Sequence, residues 1–214
     1  MKALQKYGGI AALYMAAAYL MGMVIFLVVL DYPGITSPAE KVTLLVEQST
    51  VIFITNLLIY VFFGVILIIF CLALYERMKS GAPYLMQVAT VIGIIWAGSL
   101  IASGMVSNAG IEPTLVIFAQ DPGQAAIIWQ GYETVANGLG NGNGEILGGI
   151  LTLLISIAGI RTKVLPKALH ILGIVIGGIG ILSIIPVLTD LTGLFGVGQA
   201  IWFVWLGINL IRNR

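Results

Sequence analysis

The chain has 214 residues, of which 59% are hydrophobic and 9% are charged, and its net charge is +1. Soluble domains carry about 25% charged residues, so this composition excludes an ordinary water-soluble protein and favours a lipid bilayer as the solvent. The low net charge excludes a global preference for nucleic acid, and the single cysteine, Cys71, excludes a disulfide within the chain.

Apolar runs recur along the whole sequence, and each span of a bilayer needs about 20 such residues. We predict an all-α polytopic membrane protein, a six-helix transmembrane bundle that forms a single domain over residues 1–214. The predicted spans are residues 8–30, 51–74, 84–106, 145–160, 168–188 and 191–211. The first resembles a secretion signal, but its apolar run exceeds the usual signal core of about 7–15 residues, so we expect it to be retained.

The sequence SPAE, residues 37–40, precedes the second span and is typical of a helix start. Ser37 suits the N-cap, Pro38 suits the first helical position, and Glu40 can complete a capping box. We therefore expect a helix from Pro38 through the second span to about Leu74.

The basic residues indicate the orientation of the spans. If both termini are cytoplasmic, Lys41 is the only one of the ten basic residues that falls outside. The inner ones are Lys2, Lys6, Arg77, Lys79, Arg161, Lys163, Lys167, Arg212 and Arg214. Eight of the nine acidic residues fall on the outer side, and Glu76 is the exception.

The segment 107–143 is predicted to be a long structured outer loop between helices 3 and 4. It contains no lysine or arginine, and Ile127, Ile128, Trp129 and Tyr132 could share one face of a helix. We expect this loop to fold back over the outer mouth of the bundle or to lie in the headgroup layer, with Trp129 as an interfacial anchor.

The glycine-rich stretch NGLGNGNGEILGG, residues 137–149, resembles a phosphate-binding loop. No strand precedes it and Glu145 would repel an anion, so a nucleotide site is disfavoured. Two interpretations stay open: a flexible hinge capped by Asn143, or a cation site with oxygen ligands. The weak candidate ligands are Asn137, Asn141, Asn143, Glu145, Asp121 and Glu133.

Polar residues inside or at the ends of the spans admit a structural and a functional interpretation. Asn56 and Tyr60 lie one turn apart, as do Ser99 and Ser103, and such pairs commonly form interhelical hydrogen bonds. The functional alternative is an outward-facing polar cavity. Its candidate residues are Asn56, Tyr60, Glu145, Asp190 and Asp31.

No catalytic, metal or cofactor motif is recognisable, and the only histidine, His170, is expected to face lipid headgroups. We predict no catalytic residue and no cofactor, although a lipid or another hydrophobic ligand remains open. The candidate partner or lipid contacts are Trp129, Tyr132, Trp202, Trp205, Gly173 and Gly177.

The stretch GEILGGILTLLISIAGIRTKVLPKALHILGIVIGGIGIL, followed by WFVWLGINLI, resembles the domain-of-unknown-function 4386 family of small bacterial and archaeal integral membrane proteins. The resemblance implies a multi-span membrane protein with no established activity, and it assigns no catalytic residue here.

Three functional hypotheses follow for a multi-pass protein of a prokaryotic plasma membrane with cytoplasmic N- and C-termini. The first is a non-catalytic auxiliary or scaffolding subunit that contacts lipids and a larger membrane complex or itself, without nucleic acid. The second is a small transporter or sensor with an outward-facing polar cavity. The third is a carboxylate-based membrane enzyme.

Overall fold

The computed structural model describes residues 2–140 and 145–212, and this part of the chain is helical throughout apart from short turns. Two π-helical segments, Val24–Val29 and Leu57–Phe62, continue or join α-helices, and short 3-10 turns lie at Tyr32–Gly34 and Pro186–Leu188. The α-helices are α1 (Lys2–Met23), α2 (Pro38–Asn56), α3 (Phe63–Met78), α4 (Pro83–Phe118), α5 (Pro122–Leu139), α6 (Ile146–Thr162), α7 (Lys167–Leu182) and α8 (Leu191–Arg212).

Four helical stretches in the described residues are long and apolar enough to cross a membrane. They are Ala3–Val29, Pro38–Met78, Pro83–Phe118 and Leu191–Arg212. The two other apolar helices, α6 and α7, are shorter, with 17 and 16 residues. The chain is therefore a helical protein suited to a membrane.

The helix predicted to begin at Pro38 does begin there and continues through a π-helical segment to Met78. Ser37 has the extended backbone of an N-cap residue, but its side chain makes no capping hydrogen bond, so the predicted capping box does not form. Gln48 has non-helical backbone angles (φ −120°, ψ 20°), which places a kink within α2.

Helix α4 extends to Phe118, well beyond the predicted end of the third span, and Pro113 lies inside it. The chain then turns, and the Asp121 carboxylate caps α5 by accepting a hydrogen bond from the Gln124 N–H at 3.0 Å. Ser103 Oγ donates to the Ala136 carbonyl at 2.7 Å, and Ser99 Oγ donates to the Leu139 carbonyl. These bonds hold α5 back along α4, and they confirm the interhelical role predicted for this serine pair.

Glycine allows α6 and α7 to pack with their backbones in contact. A Cβ atom at Gly149 would lie 2.8 Å from the Gly177 carbonyl oxygen, and one at Gly177 would lie 2.7 Å from the Gly149 oxygen. A Cβ at Gly173 would collide with Ser156 and with the Trp202 indole nitrogen. The small-residue face of α7 is thus used inside the chain.

The largest buried cluster joins α1, α3, α4, α6, α7 and α8. Its aromatic members include Phe63, Phe70, Trp96, Phe195, Trp202 and Phe203. A second cluster surrounds Trp129 at the meeting point of α2, α4 and α5, and it includes Leu30, Val42, Leu45, Ile52 and Ile111.

One end of the bundle collects the basic helix ends. Gln5 Nε2 donates to the Ala73 carbonyl at 2.8 Å, which joins the start of α1 to the end of α3. A Cβ at Gly81 would lie 2.9 Å from Thr162, so the α3–α4 turn contacts the end of α6. The basic residues near these ends are Lys6, Arg77, Lys79, Arg161, Lys163, Lys167 and Arg212.

Candidate functional site

A cavity of about 520 Å³ lies at the end of the bundle opposite these basic residues. Ligand-binding sites for small organic molecules commonly have about 300–1,000 Å³ and mostly apolar walls with few polar groups. The aromatic lining residues are Tyr19, Phe26, Tyr32, Tyr60, Phe63 and Trp96. The charged lining residues are Lys41, Glu133 and Glu145.

Small residues on α1 and α8 leave the space that the aromatic rings surround. Ala18 and Gly22 line it from α1, and Gly193 and Gly196 line it from the first turns of α8. A Cβ at Gly193 would meet no atom within 4 Å, so the cavity is open at this position. Its surface-exposed lining residues include Leu27, Asn137 and Gly193.

Glu145 is the N-cap residue of α6, and its side chain borders the cavity. Of the nine acidic residues, all of which belong to the described part of the chain, only Glu145 is buried, with 8% of its surface exposed. Its backbone N–H donates to Ser183 Oγ at 3.1 Å, which fixes the start of α6 against the end of α7. The position of this carboxyl is thus determined by two helix ends.

Glu145 has no cationic partner among the described residues, in which the ion pairs are Lys41–Glu133 and Lys79–Glu76. Tyr19 lies close enough to Glu145 and to Tyr60 to interact with both electrostatically. An unpaired buried carboxylate is costly, because burial removes the water that stabilises its charge. The cavity therefore contains one carboxyl group that pairs with no cationic side chain of the described residues.

The other two charged residues of the cavity, Lys41 and Glu133, form an ion pair with each other. Lys41 Nζ lies 3.1 Å from Glu133 Oε1, and the Tyr32 hydroxyl donates to the same carboxylate at 2.5 Å. Lys41 Nζ also lies 5.0 Å from the centre of the Tyr32 ring, and Trp129 Nε1 donates to the Tyr32 hydroxyl at 3.4 Å. Burial and then the bond to Glu133 raise the pKa of Tyr32, so its hydroxyl remains a donor.

The structure brings two of the five predicted cavity residues together, Tyr60 and Glu145. Asn56 is buried elsewhere, where its Nδ2 donates to Ser107 Oγ at 2.9 Å and to Asn108 Oδ1 at 3.0 Å. Asp31 and Asp190 are exposed and do not line the cavity. Asn56 thus joins α2 to α4 by hydrogen bonds, which is the structural interpretation given for this residue above.

Three of the predicted cation ligands, Glu133, Asn137 and Glu145, line the cavity, whereas Asp121 caps α5 outside it. Glu133 is already paired with Lys41. Asn141 and Asn143 lie outside the described residues. Within residues 2–140 and 145–212, no three histidine, cysteine, aspartate or glutamate residues gather so as to hold a metal ion.

The predicted partner or lipid contacts are mostly internal. Trp129 is 3% exposed and Trp202 is 0% exposed, so neither indole is available to lipid, contrary to the expected interfacial role of Trp129. Gly173 and Gly177 are buried against α6, whereas Tyr132 and Trp205 are half-buried. His170 is also buried, with its ring against Gly159, and does not face headgroups as expected.

Sequence reasoning missed most of the cavity wall. Tyr19, Phe63 and Trp96 come from three different helices, and no local pattern distinguishes them from other aromatic residues in apolar runs. Lys41 could have been identified from the sequence, because it is the one basic residue on the predicted outer side, where most acidic residues lie. Its partner Glu133 lies 92 residues further along the chain, which explains why the sequence did not reveal the pair.

No protein-family model, characterised protein or solved structure matches this chain. The resemblance of residues 144–182 and 202–211 to a family of small membrane proteins stays a prediction. The cavity and its charges are therefore the observations on which a functional proposal rests.

Proposed function

We propose that this protein is a ligand-binding membrane protein, of the transporter or sensor class, whose cavity receives a small organic molecule from the outer side. The observation that supports this best is the cavity of about 520 Å³, with aromatic walls and the Glu145 carboxyl, which has no cationic partner among the described residues. Such a space is of the size and character that bound organic molecules occupy in other proteins.

In this proposal α6 and α7 cross the membrane with the four longer stretches, which gives six crossings and both termini in the cytoplasm. The 17 residues of α6 extend about 26 Å at about 1.5 Å per residue, close to the hydrocarbon thickness of about 30 Å. The clustering of basic helix ends opposite the cavity supports an outward-facing cavity, because lysine and arginine favour the cytoplasmic side.

The auxiliary-subunit hypothesis depended on small-residue faces and on an apolar outer segment that were free for a partner. In the structure Gly173 and Gly177 pack against α6, and Trp129 packs between α2, α4 and α5. This use within the chain favours the ligand-binding hypothesis over the subunit hypothesis. A carboxylate-based enzyme stays the third hypothesis.

A cavity-filling variant with a matched control tests the proposal. Gly193→Phe adds a ring at an exposed position of the cavity lining, whereas Gly131→Phe adds the same ring at another exposed position with open space around it and no part in the lining. We expect wild type and Gly131→Phe to retain a small organic molecule after extraction in mild detergent. We expect Gly193→Phe to lose it, as measured by mass spectrometry of the bound fraction.

Equal small-molecule content in all three proteins would contradict the proposal. Co-purification of the wild type with a larger complex in fixed stoichiometry, together with an empty cavity, would favour the subunit hypothesis instead.

A further inference from the structure

We infer that the cavity selects an organic cation with an apolar body, and that Glu145 is the residue that recognises its charge. The inference rests on the proposed function, because it names the ligand class of the same cavity. It depends on three features of the described residues: the charge balance of the lining, its aromatic faces and its shortage of oxygen ligands.

The lining holds one more acidic than basic side chain. Lys41 and Glu133 neutralise each other at 3.1 Å, which leaves the Glu145 carboxyl without a cationic partner among the described residues. A buried carboxyl is accommodated either by holding a proton or by pairing with a cation. A cationic ligand would supply the partner that the described chain lacks, whereas an anionic ligand would be repelled by an ionised Glu145.

The aromatic rings add a second preference for a cation. Tyr19, Tyr60, Phe63 and Trp96 line the same space as Glu145. The faces of aromatic rings attract cations, and this attraction is stronger where water is excluded. The same rings also bury the apolar part of an organic ion, so charge and apolar body are recognised together.

A bare metal ion fits this lining less well than an organic cation. Ca²⁺ takes about six to eight oxygen ligands and Mg²⁺ takes six in a strict geometry. The described lining offers one unpaired carboxyl, a few other polar groups and mostly apolar surface. An organic cation needs no such coordination shell.

Two probes of the same shape separate charge recognition from cavity binding. Benzyltrimethylammonium is a cation, and neopentylbenzene is its neutral isostere, in which carbon replaces nitrogen. We expect the wild-type protein in lipid nanodiscs to bind the cation about tenfold more tightly by calorimetry, since tenfold is a typical gain from one favourable charge contact.

The variants attribute this preference to one residue. Glu145→Gln should reduce the preference by weakening the binding of the cation alone, whereas Asp190→Asn, which changes an exposed acid outside the lining, should leave the preference unchanged. Retained binding of neopentylbenzene by Glu145→Gln shows that this variant keeps its cavity. If Glu145→Gln does not fold, the comparison of the two probes on the wild type still decides whether the cavity selects a cation.

Equal affinity of the wild type for the two probes, abolished by Gly193→Phe, would overturn the cation inference and leave the proposed cavity function intact. Binding of neither probe, or binding that Gly193→Phe does not affect, would count against both. A cation preference that is undiminished in Glu145→Gln would overturn the assignment to this residue.

Discussion

At the residue scale, two acidic residues of the cavity differ in the partners of their carboxyl groups. Glu133 and Glu145 line the same space, but Glu133 is held by Lys41 and Tyr32, whereas Glu145 has no cationic partner in the described chain. Identical carboxyl groups thus take a structural and a recognition role. The sequence predicts Glu145 as a cavity residue because Glu145 lies at one end of a predicted span. It predicts Glu133 only as a weak candidate cation ligand.

The structural role assigned to Glu133 predicts a loss of stability when its charge is removed. Glu133→Gln keeps an oxygen that accepts from Tyr32 but leaves Lys41 without its partner. The free energy of unfolding should fall by about 1–2 kcal/mol, because this pair is only partly buried, with side chains 26% and 15% exposed. Thermal unfolding in detergent measures the change.

Glu112→Gln is the matched control, since Glu112 is exposed and belongs to neither ion pair of the described residues. An equal effect of the two substitutions would mean that the Lys41–Glu133 contact contributes no stability of its own.

At the element scale, the sequence located the apolar helices better than their ends. The predicted start at Pro38 is confirmed, because proline and the preceding serine mark a helix start locally. The end of α4 was missed by 12 residues, from 106 to Phe118. The apolar length of a run indicates how much of a helix could lie in lipid, but it does not indicate where a helix that continues and packs on α5 will end.

Contact between α6 and α7 gives a prediction with a control on the same helix. Gly177→Val should destabilise the protein by about 1–3 kcal/mol, because a side chain there meets the backbone of α6 at 2.7 Å. Gly178→Val, one residue further on, meets no atom within 4 Å and should be close to neutral. Thermal unfolding of both variants in detergent compares them.

If Gly178→Val were as destabilising as Gly177→Val, the cause would be the replacement of a glycine in this helix as such. The close approach of α6 and α7 would then not account for the effect.

At the scale of the whole molecule, composition predicted a helical membrane protein, and the described structure has four helical stretches suited to a membrane. The cavity itself could not be predicted, because its wall combines side chains from α1, α4, α5 and α8 that are as far apart as Ala18 and Gly196. The cavity depends on gaps in the packing beside small residues. The sequence shows where the small residues are but not which of them face one another in the fold.

The central claim is that the cavity opens to the outer side of the membrane. Asn137 is an exposed lining residue, and the native Cys71 is 1% exposed, so Asn137→Cys introduces one accessible thiol into the described chain. The measurement is the rate at which a membrane-impermeant maleimide labels this thiol in intact cells, with Ile127→Cys, 72% exposed and outside the lining, as the reference.

We predict that both thiols react from outside and that adding Gly193→Phe slows the reaction at position 137 while leaving that at position 127 unchanged. Labelling that occurs only after the cells are opened would contradict the orientation. Labelling from outside at a rate that Gly193→Phe does not alter would contradict the open cavity.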